Sequence, residues 1–251
     1  MSQRSLRKNA GRAFRKLDHT LGGRLGDGLA AAERLSGDQR ARERALRGGT
    51  QPASRRWGID RGKPLDRVYV EAFLERHRSD IRGRVLEIGG RYYTTTYGSN
   101  VSECVVYDVV DGSDVDIVGD LSTGAGLEDD SFDCLVILQT LMMIHDIQGA
   151  ADTIHRVLKP GGVALVTVNF LAPNCDDPCH EMWQWNMTPN ALTKLLADRF
   201  GAENVTVEPY GNYAVASSFL AGLAAHEFTG DIWLHEPGYE VVSSGRAVKA
   251  G

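Results

Sequence analysis

From residue 57 to residue 248 the chain alternates short apolar runs with helical stretches, and nothing else in it constrains the fold as tightly. A helical pattern covers residues 65–76, and the apolar run Arg84-Val-Leu-Glu-Ile-Gly89 ends in glycine. Strand-like runs follow at 104–108, 115–118 and 132–138, then a helix over 147–158. A Lys159-Pro-Gly-Gly162 turn leads into a strand at 163–168. The helix expected at 190–199 opens on Thr188-Pro189, a capping residue followed by a first-turn proline. Strands at 205–208 and 240–248 close the series, with a mostly apolar helix expected over 213–228 between them. Strands alternating with helices build an α/β domain, a doubly wound and mostly parallel seven-stranded sheet with helices on both faces. Ligands of such sheets bind beyond the carboxyl ends of the strands, so chemistry is expected in the loops after Ile88, Tyr107, Val118 and Leu138.

Charge divides the 251-residue chain differently. Residues 1–56 hold 14 Lys and Arg against 5 Asp and Glu, while the remainder holds 14 against 28, so a +9 arm precedes a −14 domain. Leu6, Ala10, Ala13, Phe14, Leu17 and Leu21 recur at helical spacing within the arm, and a second helical pattern covers 29–46. Residues 1–56 therefore read as a basic helical extension with its linker, and 57–251 as the domain. Two uses of the extension stand side by side: contact with an anionic partner, or packing on the acidic domain. No run reaches the ~18 apolar residues of a membrane span, and residues 1–30 lack the form of a signal peptide. Four cysteines are too few for a disulfide framework, so the cytoplasm is the expected compartment.

The acids at the strand ends carry the chemistry. Glu87 precedes Gly89-Gly90, and Asp108, 21 residues further on, ends the next strand, where one carboxylate can take both hydroxyls of a ribose. Gly119-Asp120-Leu121 ends the third strand, Asp130-Ser-Phe-Asp-Cys134 opens the fourth, and Arg156-Val-Leu-Lys-Pro-Gly-Gly162 opens the fifth. In this order and spacing the set resembles the class I S-adenosylmethionine-dependent methyltransferases, over roughly residues 57–248. The resemblance implies their Rossmann-like fold, S-adenosylmethionine as cofactor and no metal. It places Glu87, Gly89 and Gly90 at the methionine portion of the cofactor, Asp108 at the ribose, Asp120 and Leu121 at the adenine, and Gln139 beside the sulfonium. It also departs from the family, whose first loop reads E/D-x-G-x-G-x-G: here Arg91 and Tyr93 stand where the second and third glycines belong. The loop must then take another path, with the Tyr93 and Thr94 hydroxyls replacing backbone contacts. The same loss of glycines counts against a nicotinamide enzyme.

A narrower likeness covers Trp57-Gly-Ile-Asp-Arg-Gly-Lys-Pro-Leu-Asp-Arg-Val-Tyr69, Tyr93-Thr-Thr-Thr-Tyr-Gly98, Gln139-Thr-Leu141 and Tyr210-Gly-Asn212. These phrases resemble bacterial methyltransferases of glycan and secondary-metabolite gene clusters, which implies a small-molecule acceptor methylated at oxygen or nitrogen. Arg67 or Tyr69 stands where it can close over the cofactor carboxylate, or simply pack. Gln139-Thr-Leu-Met142 replaces the Asp/Asn-Pro-Pro-aromatic motif of enzymes that methylate base amines. His145, on the loop after the fourth strand, is the candidate general base. After the fifth strand, His180, Trp183 and Trp185 are the candidate acceptor-binding residues, since tryptophans wall pockets and stack on sugars. Cys175 and Cys179 lack a convincing set of further metal ligands. The helix at 213–228 has three uses open to it: covering the sheet, lining the pocket, or forming a homodimer face. Two other classes compete with the enzyme: a methyltransferase fold without turnover, and a nucleic-acid-directed enzyme recruited by the arm.

Overall fold

The computed structural model describes residues 43, 47–174 and 180–251. The helical patterns of the arm, Cys175, Cys179 and the side chain of His180 lie outside the described residues. The strands are β1 (Gly83–Ile88), β2 (Val101–Asp108), β3 (Ile117–Val118), β4 (Phe132–Leu138), β5 (Leu158–Asn169), β6 (Val205–Tyr210) and β7 (Val242–Val248). They form one seven-stranded sheet in the order β3-β2-β1-β4-β5-β7-β6. All neighbours are parallel except β7, which runs antiparallel to both β5 and β6. This is the expected doubly wound, mostly parallel seven-stranded sheet.

The helices are α1 (Leu65–Arg76), α2 (Tyr92–Tyr97), α3 (Ile147–Val157), α4 (Pro189–Phe200) and α5 (Tyr213–Leu220). Three of them start on side-chain caps that satisfy otherwise orphaned backbone N–H groups. Asp146 Oδ1 accepts from Gly149 N at 2.9 Å, Thr188 Oγ1 from Ala191 N at 3.1 Å, and Asn212 Oδ1 from Val215 N at 3.1 Å.

The central strands are buried on both faces, which is why β4 reads as an unbroken apolar run rather than an alternation. On one face Leu135, Ile137, Leu165's neighbours Ala164 and Val166, and Leu192 and Leu196 of α4 share a core with Ile154 of α3. On the other, Val136, Leu138 and Leu165 meet Leu65, Tyr69 and Phe73 of α1 and Phe219 of α5.

Two expectations need correction. The apolar stretch after residue 213 is helical only as far as Leu220. Gly222 then takes φ +75°, and a Cβ there would lie 2.2 Å from the Ser54 carbonyl oxygen, so the chain turns against an incoming segment. And the glycine-poor stretch after β1 is not an alternative loop: it enters α2 almost at once.

The incoming segment is part of the domain. Ala53 N donates to Ala221 O at 2.7 Å, Ala225 N donates to Lys63 O at 2.7 Å, and Pro64 bridges Ala224. Arg61 and Glu227 form a nearly enclosed ion pair at 2.5 Å, with side chains 7% and 10% exposed. The Trp57-to-Tyr69 phrase thus carries the strap that leads into α1.

Candidate active site

Strand order reverses between β1 and β4, so the carboxyl ends of these two strands border the crevice that a doubly wound sheet leaves for ligands. A small cleft, open to solvent on one side, lies there. Arg67, Glu87, Ile88, Gly89, Tyr93, Val136, Leu138 and Gln139 line it. Of the sequence candidates, Glu87, Gly89, Tyr93 and Gln139 are thus brought together, and Arg67 joins them from α1.

Glu87 is 2% exposed, inside an otherwise apolar strand end. Its Oε1 accepts from Tyr93 N at 3.0 Å and its Oε2 from Thr94 N at 2.7 Å. A carboxylate holding the first N–H groups of α2 neutralises donors that would otherwise be orphaned, and it favours the helix dipole. This explains how the chain dispenses with the second and third glycines. The backbone turns at Gly89, at φ +83°, and then becomes a helix at positions that tolerate Arg91 and Tyr93. Gly89 N donates to Tyr107 O at 3.1 Å, and a Cβ on Gly89 would stand 4.0 Å from Asp108 Oδ2. Gly90 has open space on its Cβ side. Arg67 lies over the Tyr93 ring, its Cζ 5.4 Å from the centroid.

Gln139 is the most unusual residue of the site. Its φ of +50° is uncommon for a residue with a side chain and costs roughly 1–3 kcal/mol. Its N–H is shared by Thr167 O at 2.9 Å and Thr167 Oγ1 at 3.2 Å. Its side-chain Oε1 and Nε2 are buried without a hydrogen-bond partner, and so is the Tyr93 hydroxyl. Buried polar atoms left unsatisfied cost free energy, and beside a cleft they point to a ligand that completes them.

Asp108, 8% exposed at the end of β2, accepts from Val110 N through Oδ1 at 2.9 Å. Asp120 spends its Oδ1 on Ser122 N at 2.9 Å and Ser122 Oγ at 2.7 Å, and Leu121 is buried. These two acids stand at the β2 and β3 ends and are not among the residues that line the cleft. Tyr69 is not a cofactor residue: it is fully buried and donates its hydroxyl to Ile232 O at 2.6 Å.

The acceptor-side candidates sit on two loops pinned together. Gln184 N and Trp185 N both donate to Met142 O, at 2.8 and 3.2 Å, and Met187 N donates to Asn169 O at 3.0 Å. Trp183 stacks on Trp57 with centroids 5.9 Å apart, and Trp57 Nε1 donates to Pro173 O at 2.9 Å. Trp185 donates to Ile144 O at 2.9 Å and stacks on His145 at 6.5 Å. His145 is exposed there and is not one of the residues lining the cleft. Cys134 is a fully buried core residue, and burial pushes its thiol pKa up. Among the described residues, no cluster of three or more His, Cys, Asp or Glu could hold a metal ion, and no helix is long and apolar enough to cross a membrane.

Sequence reasoning did not single out Asn169. Asp66, next to Arg67 at the start of α1, has its pKa raised by burial of the carboxyl, against the charge of Arg67 and hydrogen bonds from Asn169 and the local backbone. Asn169, 4% exposed, ends β5 and keeps its Oδ1 without a partner. Its signal was only its position: a polar residue closing a strand of apolar ones.

Residues 82–166 match a family model described as a methyltransferase domain. The ubiquinone/menaquinone biosynthesis C-methyltransferase UbiE of Marinomonas sp. (strain MWYL1) is 33% identical over 88 residues, covering 32% of this chain and 34% of that protein. The chain thus matches about a third of the length of this curated relative. Similar solved structures include an S-adenosylmethionine-dependent methyltransferase from Mesorhizobium loti, 15% identical over 74% of this chain and 100% of that one, with TM-score 0.49. A SAM-dependent methyltransferase from Archaeoglobus fulgidus is 16% identical over 75% and 96%, also at 0.49. Strands β1, β2 and β4, with Glu87 and Asp108, all lie inside the region that matches the methyltransferase domain model.

Proposed function

We propose that the protein transfers a methyl group from S-adenosylmethionine to an oxygen or nitrogen atom of a small-molecule acceptor, a natural-product or glycan intermediate. The observation that carries this reading is the cleft at the β1/β4 switch point, where Glu87, Gly89, Tyr93 and the unsatisfied Gln139 amide converge. Those features fit the cofactor. Gly89 leaves room beside the Asp108 carboxylate, Arg67 offers a cation for a carboxylate end, and Gln139 offers both a donor and an acceptor.

When bound, S-adenosylmethionine supplies a methyl group on a sulfonium already activated for in-line displacement. What the protein adds is placement. Asp108 takes the ribose hydroxyls, and Asp120 with Leu121 borders the adenine. Glu87 holds α2 so that Tyr93 faces the amino-acid end. The acceptor enters between the loops after β4 and β5, against Trp183 and Trp185, with His145 on the first of those loops. An acceptor carbon is the second reading, favoured by the name of the C-methyltransferase relative.

Methyl-labelled S-adenosylmethionine, offered with pooled hydroxylated and aminated small molecules, tests the acceptor class by locating the label by mass spectrometry. Label on oxygen or nitrogen supports the reading; label only on carbon replaces it with the second.

A further inference from the structure

Five of the nine large apolar side chains that stand exposed among the described residues fall between Tyr213 and Tyr239. Apolar side chains scattered singly over a surface are ordinary, but a cluster of them marks a contact surface. These five make one patch. Tyr213 and Leu220 stand two helical turns apart on α5 and share the face turned away from the sheet. Tyr213 meets Tyr239 edge-on, with ring centroids 5.5 Å apart. The loop that bears Trp233, Leu234 and Tyr239 is tied to the start of α5. Asn212 Nδ2 donates to Asp231 O at 3.0 Å and to Leu234 O at 2.8 Å, and Tyr213 N donates to Glu236 Oε2 at 3.1 Å. Trp233, Leu234 and Tyr213 are 57%, 59% and 62% exposed. Val215, Ala216 and Phe219 on the inner face of α5 cover the sheet, while among the described residues nothing covers the outer face.

The patch is bordered by acids. Residues 200–245 contain six Asp and Glu and no Lys or Arg. Glu208 and Glu227 are held in ion pairs with Arg76 and Arg61, and Glu240 is buried. Asp231 and Glu236 stand exposed beside the apolar side chains. Among the described residues they accept from backbone N–H groups alone, Trp233 N at 2.9 Å and Tyr213 N at 3.1 Å. A partner for this surface therefore presents apolar side chains flanked by cations, and the acids repel an anionic membrane or a nucleic acid.

The chain itself carries such a segment. Residues 4–21 hold six Lys and Arg against one Asp, around Leu6, Phe14, Leu17 and Leu21 at helical spacing. The chain also enters the domain beside the patch: Ala53 N donates to Ala221 O, the residue after Leu220 at the end of α5. The connection, residues 22–52, reaches any part of the patch, since even at the compact rise of a helix it spans about 45 Å. Such a tether gives an effective concentration on the order of mM, enough to populate a contact that would be weak between separate molecules. We propose that residues 4–21 dock as an amphipathic helix on the outer face of α5 and the 231–239 loop of their own domain. Phe14, Leu17 and Leu21 face the aromatic patch, and the flanking lysines and arginines meet Asp231 and Glu236. A polyanion then reaches the basic charges only in competition with this surface. The docking is independent of what the cleft binds.

Zero-length carbodiimide coupling of the full chain, read by mass spectrometry, tests the proposal, because it joins amines to carboxylates in direct contact. Lys8 and Lys16 are the two lysines among residues 1–56. The expected products join Lys8 or Lys16 to Asp231 or Glu236 within one chain, as a mixture of isotope-labelled and unlabelled protein distinguishes. Phe14→Ser/Leu17→Ser should lower their yield about tenfold, since burial of large apolar side chains is lost. Tyr213→Ser/Leu234→Ser should do the same from the other side of the contact. The first pair lies outside the domain, so its effect does not come from a misfolded domain. Coupling of the two lysines spread over the domain's exposed carboxylates, no coupling to the domain, or a yield unchanged in both variant pairs would overturn the proposal. Products formed only between labelled and unlabelled chains would overturn it in favour of a second copy as the source of the helix.

Discussion

Gln139 shows at the scale of one residue how function is held against stability. Its strained backbone and unsatisfied amide both cost free energy, and both sit at the cleft. Gln139→Gly relaxes the dihedral and removes the orphaned groups, so unfolding in denaturant should show stability unchanged or raised by about 1 kcal/mol. Binding of S-adenosylhomocysteine should weaken at the same time. A less stable variant with undiminished affinity would make the side chain a purely structural one. That Glu87 and Gly89 come together at the cleft was legible in the sequence, because an acid inside an apolar strand end needs a reason and a glycine follows where the chain must turn. Asn169 was not: only the folded strand shows that its buried Oδ1 is left without a partner at the end of β5.

At the scale of elements, the strap that precedes α1 is held by the enclosed Arg61–Glu227 pair. Burial alone would raise the Glu227 pKa, but the hydrogen bond and charge of Arg61, with Ala224 N, bring it below its usual 4.5. A depressed carboxylate stabilises the fold above its unfolded pKa, and that contribution is lost as pH falls through the folded value. Glu227→Gln should therefore cost about 1–3 kcal/mol at pH 7, because it removes the charge on the acceptor of two charge-assisted hydrogen bonds from Arg61. The deficit should shrink as the pH drops below the ordinary glutamate range, when the wild type loses the same charge. Thermal melts across that range check it, and a deficit independent of pH would show that the pair is not ionic. The alternation of strand and helix was readable because the two periodicities differ. Helix α2 escaped notice because its six residues are too short to show a period and contain three β-branched threonines. The end of α5 was hidden as well, since only the Ser54 backbone, from a distant part of the chain, explains why the helix stops before Gly222.

The whole molecule joins a basic extension to an acidic domain. Every residue of the cleft lies in the acidic part, which is poorly suited to hold a polyanion unaided. Removing residues 1–52 should leave S-adenosylhomocysteine affinity within about twofold of the full chain, since every residue that lines the cleft lies between 67 and 139. If the full chain binds nucleic acid, that binding should weaken steeply with salt and disappear with the extension. A shortened protein that folds but no longer binds the cofactor product would place the extension in the active site. The sheet and its switch point could be read from sequence because both follow from local patterns; the partner of the extension could not, because charge alone does not distinguish an anionic ligand from the domain's own surface.

The central claim is that the cleft at the β1/β4 switch point holds S-adenosylmethionine with Asp108 on the ribose. Calorimetric titration with S-adenosylhomocysteine, with NAD as control, tests it on the wild type and on Asp108→Ala. The expected result is one site per chain for S-adenosylhomocysteine, no binding of NAD, and an affinity lowered about 10²-fold by the substitution, the loss of two hydrogen bonds to a charged group. Absence of binding to the wild type, or an affinity unchanged in Asp108→Ala, would contradict it.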